Sequence, residues 1–109
     1  MSKPKSFNEK AYDLLKKVPR GKVTTYKILA EKLGTKAYRA VGQAMRCNPY
    51  APDVPCHRVV NSDGSIGGYM GKTDKNSKET KKKTSLLKKE GVEIKNNKIN
   101  LKKYLFDFK

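Results

Sequence analysis

A chain of 109 residues leaves room for one hydrophobic core, because dividing it would put each half below the size that folds unaided. With 36% hydrophobic and 33% charged residues in periodic stretches it reads as globular, and no run approaches the ~20 apolar residues of a membrane span. Twenty-six Lys and Arg against ten Asp and Glu give +16, shared equally between residues 1–71 and 72–109. The excess therefore belongs to the folded body, and beyond a solvated Lys-rich surface it calls for a polyanionic partner. The N-terminus, MSKPKSFNEK, has no apolar signal core, which predicts an intracellular protein, cytoplasmic or nucleoid-associated. Cys47 and Cys56 read as two thiols in a reducing compartment. One histidine and no CxxC are too little for a zinc site, so neither metal nor cofactor is expected.

Ser6 followed by Glu9 is a capping box, and Phe7, Ala11, Leu14, Leu15 and Val18 recur at helical spacing, predicting a helix over residues 7–18 that Pro19 and Gly21 end. After the β-branched run Val23-Thr24-Thr25, a second helix carries Tyr26, Leu29, Ala30 and Leu33 and stops at Gly34. Thr35 can cap a third, with Ala37, Ala40, Val41, Ala44 and Met45 inward and Arg39, Gln43 and Arg46 outward at i, i+4 and i+7. Two short helices about a glycine turn make a helix-turn-helix, whose second helix docks in a DNA groove; an ordinary helical hairpin with a solvated face has the same pattern.

Pro49, Pro52 and Pro55 favour an extended connection leading into Cys56-His57-Arg58-Val59-Val60, a short strand or turn. Asp63-Gly64 signals a hairpin ahead of Ile66-Gly67-Gly68-Tyr69. A helix is expected from about Ser77 to Glu90, closed by Gly91. Val92 and Ile94, then Ile99 and Leu101, alternate about Asn96-Asn97 as a terminal hairpin.

The one strong nucleophile candidate is Cys56, beside His57 and Arg58; a thiol attacks only as thiolate, which cations and bases favour. Taken alone, a Cys-His pair is better read as a small buried Cys, since neighbours in sequence often point apart. The wider pattern is more specific. Arg39-Ala40-Val41-Gly42-Gln43-Ala44-Met45, Asn48-Pro49, Pro55-Cys56-His57-Arg58-Val59-Val60, Gly64 and Gly67-Gly68-Tyr69 follow one another as in the C-terminal catalytic domain of the O6-alkylguanine-DNA alkyltransferases, which residues 7 to 94 closely resemble.

That resemblance implies roles. Cys56 is the alkyl acceptor, His57 its base through a water, Glu90 the group orienting the imidazole, and Asn48 the brace of the cysteine turn. Tyr26 serves guanine N3. Arg39 fills the gap left by a flipped base, on a helix that Ala40, Gly42 and Ala44 keep slim enough for the minor groove, with Gln43 and Arg46 on the same face. Backbone around Val59, Gly67, Gly68, Tyr69 and Met70 lines the base pocket, and Lys83 is placed with the substrate- and DNA-facing groups. Departures from the family are Cys47 in place of a common glycine, Met70 in place of a small polar residue, and a longer Lys-rich stretch before Glu90.

The expected fold is thus α/β, mainly α: a winged helix-turn-helix-like alkyltransferase catalytic domain with small β hairpins. Residues 1–109 form a single domain, without the N-terminal domain common in the family. The expected activity is irreversible, stoichiometric transfer to Cys56. The expected partner is double-stranded DNA containing O6-alkylguanine, with O4-alkylthymine a further candidate lesion, bound by a monomer away from membranes. Two rival readings are a non-catalytic alkyltransferase-like lesion sensor, a class that lacks the cysteine, and a winged-helix regulator with a fixed operator.

Overall fold

The structure, a computed structural model, describes residues 6–46, 48, 53–67 and 78–108; Cys47, Gly68, Tyr69 and Met70 lie outside the described residues. The architecture is mainly helical with a small sheet. Helix α1 (Phe7–Leu15) starts at Ser6, whose hydroxyl accepts the Glu9 N–H at 3.2 Å. It stops short of residue 18 because the N–H groups of Lys17 and Val18 reach back only to Leu14 and Leu15, a tightened last turn ahead of Pro19. Of the five residues the spacing puts inward, Ala11, Leu15 and Val18 are buried and Phe7 and Leu14 are partly buried against them, while Tyr12, which the spacing does not name, is buried too.

Strand β1 (Thr24–Thr25) runs directly into α2 (Tyr26–Lys32), and Thr25 does both jobs. It pairs in the strand, and its hydroxyl caps the helix by accepting the Ile28 N–H at 3.1 Å. Gly34 at φ +72° turns the chain, and α3 (Tyr38–Arg46) packs across α1 and α2. The Tyr12 hydroxyl fastens it by donating to the Ala44 carbonyl at 2.8 Å. Thr35 lies outside the helix, where its hydroxyl accepts the Ala37 N–H, and Ala37 is exposed rather than inward.

A 3-10 turn (Cys56–Arg58) leads into β2 (Val59–Val60), which lies parallel to β1 with Thr24 opposite Val59 and Thr25 opposite Val60. Successive strand residues point to opposite faces. Val59 accordingly joins the core made by α1, α2 and α3, and Val60 joins a second cluster with Val23, Ile66, Leu87, Val92, Ile99 and Tyr104. Helix α4 (Lys78–Lys89) ends at Gly91, φ +90°, and puts Thr80, Lys83 and Leu87 on its buried face.

Among the described residues, the two expected hairpins appear as tight turns joined by single bridges rather than by ladders. Asn96 and Asn97, at φ 50° and 62°, close a turn in which Lys95 and Lys98 exchange hydrogen bonds of 2.9 Å, and Lys98 is bridged to Ser65. Leu101, expected in the returning strand, instead opens a short helix α5 (Leu101–Tyr104), because the Asn100 side chain caps it by accepting the Lys102 N–H. The chain then pairs in parallel with Val23: the Val23 N–H donates to the Tyr104 carbonyl, and the Phe106 N–H to that of Val23. Among the described residues, no helix is long and apolar enough to cross a membrane.

Gly64 is held by this arrangement. At φ +89° its carbonyl accepts the Ile99 N–H, and a Cβ there would stand 2.5 Å from the Ile99 carbonyl oxygen. Gly64→Ala should therefore cost about 2–3 kcal/mol in urea unfolding, strain and clash together. Gly34→Ala, with a similar φ and nothing within 4 Å, should lose only the strain. Equal losses would show that the close approach contributes nothing.

Candidate active site

Cys56 is a free thiol, 3% exposed, at the first position of the 3-10 turn. Pro55 has no N–H to give and a fixed φ, so the turn is held instead by Cys56 N–H to Val54 O at 2.8 Å and Arg58 N–H to Pro55 O at 2.9 Å. Asn48, buried, donates its side-chain amide to the Val54 carbonyl at 2.8 Å, bracing from outside the loop that carries the thiol.

The turn sends His57 inward and Arg58 toward α4, and both meet Glu90 just past that helix. His57 Nε2 lies 3.0 Å from Glu90 Oε2. Arg58 makes a bidentate pair with the same carboxylate, at 2.9 and 2.7 Å, and its third nitrogen donates to the Val18 carbonyl at 2.7 Å. Burial opposes ionisation of Glu90, but the hydrogen bonds from Arg58 and His57, with the Arg58 charge beside them, hold its carboxyl below the usual range. A carboxylate can only accept, so His57 Nε2 carries the proton. Burial lowers the His57 pKa from 6.5 against the pull of Glu90, with Arg58 and Lys83 adding to the fall. The ring is thus neutral and its Nδ1 is a bare acceptor, buried and without a hydrogen-bond partner among the described residues.

Tyr26, at the start of α2, has its hydroxyl pushed up to about 12, by burial first and then by the charge of Cys56. It keeps its proton and can donate it. Lys83 requires a correction. Expected among the groups facing substrate and DNA, it is completely buried, because it shares the inward face of α4 with Thr80 and Leu87. Its ammonium donates to the carbonyls of Val59 at 2.6 Å and Ile66 at 2.7 Å and lies 6.0 Å from the centre of the Tyr26 ring, where no phosphate reaches it. Burial brings it down to about 7, with the charge of Cys56 working the other way. Lys83 therefore ties the two stretches of backbone that follow the thiol.

On the far side of the first core, α3 exposes Arg39, Gln43 and Arg46 in a row, with Ala40 and Gly42 half-buried beside them. A Cβ at Gly42 would meet nothing within 4 Å. Among the described residues packing does not require this glycine, although it costs the helix about 1 kcal/mol relative to alanine. Of the expected pocket backbone, Val59 and Gly67 are described, Gly67 at φ +73°, where an added Cβ would stand 3.3 Å from Asn61 Oδ1. Arg58 was read only as a cation near the thiol, and its pairing with Glu90 was missed. Its adjacency to His57 was visible, but a partner 32 residues away leaves no periodic trace.

These features define a helix-turn-helix body that carries a buried thiol beside an imidazole held by a carboxylate. The chain belongs to the 6-O-methylguanine DNA methyltransferase family, whose DNA binding domain matches residues 6–92. It is 42% identical over 97 residues to a bifunctional methyltransferase/endonuclease of Picrophilus torridus, an alignment covering 88% of this chain and 30% of that protein. Among solved structures it resembles Schizosaccharomyces pombe Atl1 in complex with DNA containing O6-carboxymethylguanine, at 34% identity and TM-score 0.79 over 96% of this chain and 98% of that one. It also resembles the O6-methylguanine-DNA methyltransferase of Pyrococcus kodakaraensis, at 47% identity and TM-score 0.68 over 81% and 47%. The chain spans between 30% and 52% of the length of the first curated relatives it matches.

Proposed function

We propose that this chain binds duplex DNA through α3, receives a flipped O6-alkylguanine and moves the alkyl group onto Cys56, once per molecule. The observation that carries the reading is the buried Cys56 followed by a His57 whose Nε2 lies 3.0 Å from the Glu90 carboxylate. In this reading His57 Nδ1 takes the thiol proton through a water. The sulfur then attacks the alkyl carbon in line, so that the S–C bond forms as the C–O6 bond breaks, and the electron pair stays on guanine. Tyr26 gives guanine N3 a proton and regains one from the imidazolium, so the net movement is from thiol to base. Asn48 holds the cysteine turn, backbone at Val59 and Gly67 together with Gly68, Tyr69 and Met70 borders the base, and Lys83 fixes the carbonyls beneath it. Arg39 enters the gap in the stack, with Ala40, Gly42, Gln43 and Arg46 along the groove.

The structure of Atl1 with alkylated DNA supports the choice of partner, and its near-complete match in length keeps a pure lesion sensor as the second reading. The thiol separates the two. Intact-mass and peptide mass spectrometry after mixing with O6-methylguanine duplex should find one methyl group, on Cys56, and a plateau at no more than one group per chain. A thioether has no electrophilic carbonyl through which water could regenerate the thiol. An unmodified chain that binds the lesion tightly would establish the sensor instead.

A further inference from the structure

Among the described residues, Tyr38 is the one large hydrophobic side chain left substantially exposed, at 47%. It occupies the first position of α3, next to Arg39. The turn before it is fixed by the Ala37 N–H to Thr35 Oγ1 at 3.0 Å and by the Tyr38 N–H to the Lys36 carbonyl at 2.9 Å. Side chains on a helix lean toward its N-terminus, so the ring and the guanidinium lead the helix together. One turn behind Tyr38, on the same i, i+4 row, comes Gly42 with open space around it. The outward side of α3 is therefore stepped: a flat aromatic and a cation in front, and a stripped backbone behind. A single surface aromatic is ordinary in itself. Here it stands beside the residue proposed for the gap of the base stack, at the head of a helix whose glycine has nothing within 4 Å of an added Cβ among the described residues.

We infer that Tyr38 is a second stacking group, whose ring lies against the face of the base pair uncovered when the target base leaves, while Arg39 occupies the vacancy. This rests on the DNA-flipping reading above and adds a residue to it. A tyrosine ring offers every base the same π-face, so the contact steadies the opened duplex without selecting sequence. Base–aromatic stacking of ~1–3 kcal/mol corresponds to about 5- to 150-fold in binding or rate.

The test uses two readouts. In single-turnover transfer from an O6-methylguanine duplex, Tyr38→Ala should be slower by that factor, while Tyr38→Phe stays within about twofold of wild type, as expected for a ring contact. Reaction with free O6-benzylguanine and the melting temperature should not change in either variant. In a Cys56→Ser background, 2-aminopurine beside the lesion should be quenched on binding, and Tyr38→Ala should remove the quenching. Wild-type duplex rates in Tyr38→Ala, an equal loss on the free base, or a Tyr38→Phe variant as slow as Tyr38→Ala would overturn the inference. The last of these would indicate a hydroxyl contact to phosphate. If the wild-type chain binds the duplex but transfers nothing, the transfer reading fails, and the aminopurine signal still decides the role of Tyr38.

Discussion

His57→Ala is expected to slow transfer from O6-methylguanine duplex by roughly 10²- to 10⁴-fold, the usual worth of a positioned general base, while leaving duplex affinity unchanged. The expectation comes from the tautomer. Glu90 accepts from Nε2, which leaves Nδ1 as the basic face of a ring that burial keeps neutral. Glu90→Gln should fall between the variant and wild type, because an amide can still meet Nε2 but no longer fixes which nitrogen bears the proton. Single-turnover rates against pH would separate the two effects. A His57→Ala protein with wild-type rates would mean that the thiol is activated without the imidazole, and Lys83, buried on α4 with its ammonium on the carbonyls of Val59 and Ile66, would be the next group to replace.

The second large effect is on stability. Arg58→Met should destabilise the fold by about 3–5 kcal/mol, because it leaves a carboxylate that is only 10% exposed without its bidentate partner and strips the Val18 carbonyl of a donor. Against a typical total of ~5–15 kcal/mol, that is a substantial share. Acid should attack the same cluster in two stages. Because the folded-state pKa of His57 lies below 6.5, the unfolded chain takes up the proton first, so its contribution is complete above 6.5 and declines as pH falls toward the folded value. Glu90, also depressed, adds a second decline below its ordinary 4.5. Lys83 acts in a separate window, between about 7 and 10.5, where stability rises with pH. Urea unfolding across the acid range should show both declines in wild type and only the second in His57→Gln. This is a clean assignment, because the chain has one histidine. A first decline that persists in His57→Gln would move it to another group.

The helices were legible because their signals are local: the Ser6 cap, the apolar spacing of α1, and the glycines at 34 and 91 that end α2 and α4. The thiol and its neighbours were legible as a run of sequence, and Glu90 only through likeness to a family. What escaped depends on distance along the chain. Two-residue strands such as Thr24–Thr25 and Val59–Val60 carry too little alternation to announce a parallel partner. Ile99 and Leu101 alternate like a strand, yet Asn100 between them spends its side chain on a helix cap. Lys83 sits among Lys81, Lys82, Lys88 and Lys89, and lysine is a residue that almost always reaches water, so its inward position on the α4 face did not stand out.

The parallel register of β1 and β2 also has a consequence in time. It joins the segment just before Tyr26 to the segment just after Cys56, and Val23 is joined in turn to Leu105. Neither half of the site can assemble locally; each waits for long loops to close, the slow kind of event in chain collapse. Until they close, Cys56 is an open thiol on a mobile chain, and afterwards it is shut in. Its rate of labelling by a small maleimide should therefore drop sharply during refolding, in step with the final closure and later than helix formation seen by circular dichroism. The residue proposed as the alkyl acceptor would thus also serve as a clock for the completion of the fold.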